Sequence, residues 1–229
     1  MTNITEESND FSTIMEMRAF HGKEEIKKFY LNRVQEHIDL DEIVKGVYFE
    51  DGEPGKRKMC GVGCTIHSDQ HSSYEEELGI PQVLAKLEDR IFENIPNELA
   101  KTWPLRFLES INVGADLSKV WPKFAIFLLT DSTQCNSQHQ KCVIISDCYA
   151  RELAGEKIDW FSIKRAADAA AAAAAADAAY AAYAAYTAAA YAAAADAVDA
   201  AAYAAYAAAK IKAYIAQSEK LLELLKEQK

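Results

Sequence analysis

The sequence predicts a mainly α-helical protein, in which a small helical domain is followed by a long alanine- and tyrosine-rich helical appendage that packs antiparallel. Three observations lead to this fold class. Before residue 160, apolar residues recur at the three- and four-residue spacing of amphipathic helices. Gly155 is the last glycine and Pro122 the last proline, so nothing later in the chain interrupts a helix. Residues 166–209 contain 32 alanines among 44 positions, and alanine has the highest helix propensity.

This pattern divides the chain into three segments. We expect residues 1–22 to be disordered or loosely attached, because they are mostly polar and acidic. Residues 23–157 are predicted to form the helical globular domain, and residues 158–229 an alanine-rich helical hairpin or one long helix. The N-terminus lacks the apolar core of a signal peptide, and no window reaches about 18 strongly apolar residues.

The charge balance restricts the classes of partner. The chain has 35 acidic and 25 basic side chains and a net charge of −10, so it repels phosphate backbones and anionic lipid surfaces. We therefore expect neither nucleic acid nor a membrane as partner. The five cysteines are an odd number, which favours a reducing, cytoplasmic environment over a disulfide framework.

The globular region reads as helices separated by one irregular loop. A first helix is predicted from about Glu24, with one apolar face formed by Ile26, Phe29, Tyr30 and Val34. Six glycines and prolines then break the stretch from Gly46 to Gly63, where a short strand or hairpin near residues 47–49 is expected.

Later helices are marked by their start and stop signals. Ser73 followed by Glu76 has the spacing of a capping box, and Gly79 is suited to end that helix. Pro81 and Pro104 suit the first turns of the next two. A further helix should carry Phe124, and residues 142–153 should form a short helix or strand.

The alanine-rich segment predicts close packing of helix backbones. A methyl group buries little apolar area, but small side chains allow two helices to approach and gain dispersion contacts. The tyrosines supply larger rings at the edges of such an interface, and they change helix face along the segment. A cluster of leucines near residue 221 should clamp one end. The predicted interface tyrosines are Tyr180, Tyr183, Tyr186, Tyr191, Tyr203 and Tyr206.

The segment therefore predicts a homo-oligomer or a protein partner. The alternative is a simple spacer, because low-complexity runs are often tolerated without a specific role.

Two groups of Cys and His residues have the chemistry of zinc ligands. Cys60, Cys64, His67 and His71 are spaced four, three and four residues apart, which would place them on one face of a continuous helix. A second half-site consists of Cys135, His139 and Cys142. Together they predict a structural zinc site as one alternative, and otherwise we expect no cofactor.

An enzymatic alternative uses Cys64 as a nucleophile. A glycine-rich turn leading Cys64 into a helix N-terminus would lower the pKa of its thiol. His67 or His71 would then act as the base, with Asp69 or Glu75 to orient it. The simplest interpretation is that Cys60 and Cys64 are small buried residues and that the histidines lie at the edge of a polar loop.

Four short motifs carry a resemblance to known sequences. They are Gly63-Cys-Thr-Ile-His67, Glu77-Leu-Gly-Ile-Pro81, Leu87-Glu-Asp-Arg-Ile-Phe-Glu93 and Gly114-Ala-Asp-Leu-Ser118. In these the chain resembles a group of uncharacterised bacterial and phage proteins that also tend to end in an alanine-rich helix. The resemblance covers the chain beyond about residue 20 and implies a single architecture without a known activity.

Three functional hypotheses remain from the sequence. The first is a non-enzymatic binding or scaffolding protein that self-associates through its alanine-rich helices, in a phage or host-defence setting. The second is a thiol-dependent enzyme centred on Cys64 with His67 or His71. The third is a structural zinc-binding interaction module.

Overall fold

Helices dominate the part of the chain that the computed structural model describes, which comprises residues 17–47, 49–50, 52–68, 70–131, 140–160, 162 and 195–229. This confirms the predicted mainly α fold class. In chain order the helices are α1 (Glu24–Asp39), α2 (Gly61–Ile66), α3 (Ser73–Leu78), α4 (Gln82–Asn94), α5 (Asn97–Ala100), α6 (Trp103–Glu109), α7 (Val120–Thr130), α8 (Gln140–Leu153) and α9 (Ala195–Lys226). Within these ranges, no helix has the length and apolar character needed to cross a bilayer.

The packed chain begins earlier than the sequence predicted. Ala19 and Phe20 are fully buried in a short 3₁₀ turn that precedes α1. The backbone N–H of Ala19 donates to Ala115 O at 3.0 Å, and Gly114 N–H donates to Ala19 O at 2.8 Å. The expected loose attachment up to residue 22 is therefore wrong for these residues, because an aromatic side chain and two backbone hydrogen bonds hold them.

A two-stranded hairpin interrupts the helices where the glycine-rich loop was expected. Strands β1 (Phe49–Glu50) and β2 (Lys58–Met59) pair antiparallel, with Phe49 opposite Met59. Met59 is fully buried and exchanges backbone hydrogen bonds with Glu42 and Val44. The hairpin thereby fixes the loop that follows α1 against the start of α2.

The end of α3 lies where the sequence predicted it, but its start does not have the predicted capping box. Gly79 ends the helix in a left-handed conformation, φ 61°, and a Cβ there would lie 2.1 Å from Arg18 O. Only glycine meets both conditions. The predicted capping box is wrong, because Ser73 lies inside the helix and its N–H is already satisfied by Gln70 O in the preceding turn.

Buried apolar faces of the long helices meet in one core. These residues include Val34 of α1, Leu84 and Ile91 of α4, Phe107 and Leu108 of α6, and Phe124 of α7. Phe29, which was expected on the buried face of α1, is instead 53% exposed. Helix α8 packs on α7 through aromatic rings, where Trp121 donates to Tyr149 Oη at 3.2 Å.

The C-terminal end of α9 is part of that core. Leu221 and Leu225 are fully buried, and Leu222 and Leu224 are 4% and 3% exposed, which confirms the predicted leucine clamp. The helix packs against α4 and α7. Ion pairs secure its edges: Arg106 with Glu219 and Lys123 with Glu227, both at 2.9 Å.

Upstream of these leucines, residues 213–217 of α9 are half-buried and residues 208–212 are exposed. Its 32 residues correspond to about 48 Å of helix. The choice between a hairpin and one long helix concerns residues outside the described ranges. So do Tyr180, Tyr183, Tyr186 and Tyr191, whereas Tyr203 and Tyr206 lie in α9 with side chains that are not described.

Truncating the clamp should destabilise the domain. We expect Leu221→Ala to lower the free energy of unfolding by about 2–5 kcal/mol, because it removes buried methyl groups and leaves a cavity. Urea denaturation followed by circular dichroism measures this change. Ile211→Ala is the matched control on the same helix, since Ile211 is 43% exposed and its loss should cost about 0.5 kcal/mol or less. Equal effects of the two substitutions would contradict a docked helix end.

Candidate functional site

The predicted Cys and His ligands do not lie on one face of a continuous helix. Cys60 is its N-cap, and all six helical residues, including Gly61 and Gly63, are buried. His67 ends the helix in a left-handed conformation, φ 53°. The helical face that was expected to run from Cys60 to His71 therefore stops at His67, and His71 belongs to the next turn.

The two thiols of α2 are enclosed. The Sγ of Cys60 accepts from Gly63 N at 3.4 Å, and the Sγ of Cys64 donates to Gly61 O at 2.9 Å. Burial, reinforced by the nearby Glu88 carboxyl, raises the pKa of Cys64 well above its usual value, and burial raises the pKa of Cys60 to about 12. The expected lowering of the Cys64 pKa is therefore wrong, since Cys64 lies in the second turn behind a buried N-terminus.

A carboxyl group from α4 shares this interior. Glu88 is fully buried, and its Oε2 accepts from Tyr74 Oη at 3.3 Å. Among the described residues, its Oε1 has no hydrogen-bond partner. We call Glu88, Tyr74, Cys60 and Cys64 the buried acid cluster. Burial, with a further contribution from Asp89, raises the pKa of Glu88 well above its usual range, so this carboxyl is held neutral.

Glycine at the start of α2 makes room for the carboxyl. A Cβ on Gly61 would lie 2.5 Å from Glu88 Oε1 and 3.1 Å from Pro104 Cγ. The carbonyl of Gly61 also accepts from Thr65 Oγ1 at 3.0 Å in addition to the Cys64 thiol. The indole of Trp103 donates to the backbone oxygen of Glu88 at 3.0 Å, which fixes α4 against α6.

The two predicted histidines have separate partners. His71 Nε2 lies 3.5 Å from Asp89 Oδ2 on the α4 side. His67 Nε2 instead lies 2.8 Å from Nε2 of His37, a residue of α1. The structure therefore does not bring His67 and His71 to Cys64 as a shared base, and a nucleophilic role for Cys64 stays a prediction that its burial does not favour.

His37 and His67 form what we call the histidine pair. His37 is 2% exposed, and its Nδ1 lies 2.5 Å from Oε2 of Glu42. Gly55 N–H donates to the other oxygen of Glu42 at 2.5 Å. Burial opposes the charge on Glu42, but these two hydrogen bonds outweigh it and hold the pKa of Glu42 below its usual value.

A carboxylate at Glu42 can only accept a hydrogen bond, so it orients the imidazole of His37 through Nδ1. This leaves Nε2 of His37 facing Nε2 of His67 at 2.8 Å. The result is a chain from a buried carboxylate through a buried imidazole to His67, which is exposed. His67 opens onto a cleft of about 280 Å³, which is lined by Phe29, Asn32, Arg33, Glu36, His37, Arg57 and His67.

The zinc prediction receives no support from the described residues. Among them, no three His, Cys, Asp or Glu side chains are placed to hold a metal ion. Cys135 and His139 lie outside the described ranges, and Cys142 lies in α8 with a side chain that is not described. A zinc site that uses the second half-site stays a prediction.

Sequence reasoning missed Glu88, His37 and Glu42. The positions of two of these residues in the sequence could have revealed them. His37 lies three residues after Val34 and seven after Tyr30, so it continues the buried face of α1, where a titratable residue is unusual. Glu88 similarly lies between Leu84 and Ile91 on the buried face of α4. Nothing local marks Glu42, because its contacts come from the hairpin and from α1.

No family of proteins, curated protein or solved structure that was compared with this chain matches it. The resemblance to bacterial and phage proteins therefore stays a prediction.

The neutral state of Glu88 predicts a pH dependence of stability. Above about pH 4.5 the carboxyl is ionised in the unfolded chain but protonated in the fold, so the folded state binds one more proton. The unfolding equilibrium constant of the wild type should rise about tenfold per pH unit relative to Glu88→Gln, until the folded pKa is passed. Urea denaturation of both proteins from pH 4.5 to 7 measures this difference. Parallel stability profiles would contradict a neutral Glu88.

The enclosed thiols should resist alkylation. We expect Cys60 and Cys64 to react with iodoacetamide far more slowly than glutathione at pH 7.5, because both burial and a raised pKa suppress the thiolate. Peptide mapping by mass spectrometry assigns the modification to each cysteine, and the same protein in urea is the control. Rapid labelling of Cys64 in the folded protein below pH 7 would instead support the thiol enzyme.

Proposed function

We propose that the protein is a non-enzymatic binding or scaffolding protein that self-associates through its alanine-rich helices. The observation that supports this most is the position of α9. Its last turns are held in the core by four buried leucines, whereas residues 208–212 just upstream are exposed. The domain thus holds the C-terminal end of this helix and leaves residues 208–212 exposed.

The composition of the alanine-rich segment favours helix packing over small-molecule chemistry. A helix of methyl-sized side chains presents a smooth surface on which a second backbone can lie close. Taken alone, such a surface gains little from burial against water, so it requires many contacts along its length. Tyrosines at intervals add rings with a polar tip that suit the edge of such an interface. A second copy of this chain is the partner that carries the matching surface.

The enclosed cysteines also favour this proposal over the thiol enzyme. A nucleophile must reach its substrate, and Cys64 is fully buried with a raised pKa. The net charge of −10 argues against nucleic acid as the partner. A reducing compartment and a phage or host-defence setting complete the proposal; the second rests only on the sequence resemblance.

The experiment must keep the chain whole. A chain ending near residue 160 would lose the leucines that complete the core, so its oligomeric state would report misfolding. We expect the full-length protein to associate in light scattering, and Ala→Gln at Ala197, Ala201, Ala204 and Ala208 to abolish association. Glutamine is a good helix former, but its side chain prevents close approach of the backbones.

The matched control is Ala→Ser at the same four positions. Serine keeps the small volume but has lower helix propensity, so association should persist. If the wild type is monomeric over the accessible concentration range, the proposal is wrong. If the serine variant dissociates and the glutamine variant does not, helix formation and not close packing drives association.

A further inference from the structure

We propose that the groove where α4, α7 and α8 meet is a binding site for a free α-amino acid with an aromatic or large aliphatic side chain. The groove has a volume of about 410 Å³, which lies within the range of sites for small molecules. It is lined by apolar side chains and by one charge of each sign, Lys119 and Glu152. The site is separate from the self-association proposed for α9, and neither depends on the other.

Trp121 provides the largest apolar side chain of the groove. Its indole N–H donates to Tyr149 Oη at 3.2 Å, and the two rings meet edge to face with centroids 6.2 Å apart. Because this contact uses the single polar group of the indole, Trp121 can offer a ligand only apolar contacts. The other apolar residues that line the groove are Pro81, Val83, Leu117, Pro122 and Leu153. A ring or a branched alkyl group on the ligand would cover this surface.

Each of the two charges lies at a helix end where its sign is unfavourable. Lys119 is the N-cap of α7, and α7 has no acidic residue in its first turn. Glu152 lies in the last turn of α8, directly before the final residue Leu153. Helices are stabilised by negative charge at the N-terminus and positive charge at the C-terminus, so both residues oppose the dipole of their own helix. Helix stability therefore does not explain them, and such departures are expected at functional sites.

The two charges do not neutralise each other, although both line the groove. Among the described residues, Lys119 forms no ion pair with Glu152 or with Asp116, the acid whose carboxylate it attracts at longer range. Glu152 is half-buried, and its Oε1 accepts from the indole N–H of Trp160 at 2.8 Å. Trp160 in turn stacks on Tyr149 with ring centroids 4.4 Å apart. The carboxylate is thereby held at the groove, and the exposed lysine can reach a ligand there.

A zwitterion matches this arrangement better than a simple anion or cation does. An anion drawn to Lys119 would also meet the carboxylate of Glu152, and a cation drawn to Glu152 would meet the ammonium group of Lys119. An α-amino acid carries both charges, so its carboxylate binds Lys119 while its ammonium group binds Glu152. The same orientation places the ligand carboxylate at the N-terminus of α7 and the ligand ammonium group at the C-terminus of α8, where both helix dipoles favour them. The ligand side chain then lies against Trp121.

The test is a titration of the ¹⁵N-labelled full-length protein with L-phenylalanine at pH 7, followed by NMR of the indole N–H signals. The chain has three tryptophans, and each indole N–H has a different acceptor. We expect saturable shifts for Trp121 and Trp160. Trp103 serves as an internal reference, because it is fully buried and donates to Glu88 O.

Three further probes each lack one part of the ligand. 2-Phenylethylamine has no carboxylate, 3-phenylpropionate has no ammonium group, and glycine has no side chain. The first two should bind about tenfold or more weakly than L-phenylalanine, as expected for the loss of a charge-assisted hydrogen bond. Glycine should bind the most weakly, since it leaves the apolar surface uncovered.

Two conservative substitutions show which protein charge binds which ligand group. Lys119→Gln should weaken binding of L-phenylalanine about tenfold but should not weaken that of 2-phenylethylamine. Glu152→Gln retains an acceptor for Trp160; it should weaken L-phenylalanine about tenfold but not 3-phenylpropionate. Lys28→Gln, at an exposed lysine of α1, is the matched control and should change each affinity by less than about twofold. Thermal unfolding of each variant verifies its fold.

Several outcomes would overturn the proposal. The first is an absence of saturable Trp121 shifts when L-phenylalanine is added to the wild-type protein. The second is binding of 2-phenylethylamine or 3-phenylpropionate as tight as that of L-phenylalanine, which would assign the groove to a simple amine or acid. The third is an equal loss of L-phenylalanine affinity in the Lys119 and Lys28 variants. The wild-type titrations decide the matter even if a variant fails to fold.

Discussion

Burial of the C-terminal leucines is the interaction on which the rest of the architecture depends. Leu221 and Leu225 are fully enclosed by a core that also contains Phe20, from the other end of the described chain. Segments about 200 residues apart thus share one core. Because the apolar area buried by methyl groups is small, these leucines, and not the alanines, hold the helix in place.

Two buried glutamates show how the same residue type acquires opposite states. Glu88 receives one long hydrogen bond from Tyr74 and lies near Asp89, so desolvation dominates and the carboxyl is neutral. Glu42 also has almost no exposed surface but lies less deeply in the protein, and His37 and Gly55 donate to both of its oxygens, so its pKa lies below the usual value. Depth of burial and the number of donors together decide the outcome. The buried acid cluster packs around α2 inside the domain. Glu42 instead contacts the histidine pair, which lies at a cleft on the surface.

Sequence patterns predicted those features that local spacing controls. Helical periodicity, the left-handed Gly79 and the leucine clamp all follow from residues within a few positions of one another. The Cys and His groups could not be predicted in this way. Glycine commonly interrupts helices, yet Gly61 and Gly63 lie inside α2. The helix ends at His67, whose left-handed backbone changes the direction of the chain. The partners of His67 and Cys64 come from α1 and α4, so their chemistry depends on tertiary contacts that no short motif encodes.

We propose that the alanine-rich helix of one protomer lies against that of another. Chemical cross-linking of a mixture of ¹⁴N- and ¹⁵N-labelled full-length protein tests this directly, since Lys210 and Lys212 lie in the exposed part of α9. We expect mixed-isotope cross-links that include one of these two lysines. Cross-links from Lys210 and Lys212 that join only residues of the same protomer, at concentrations where the protein is associated, would contradict it.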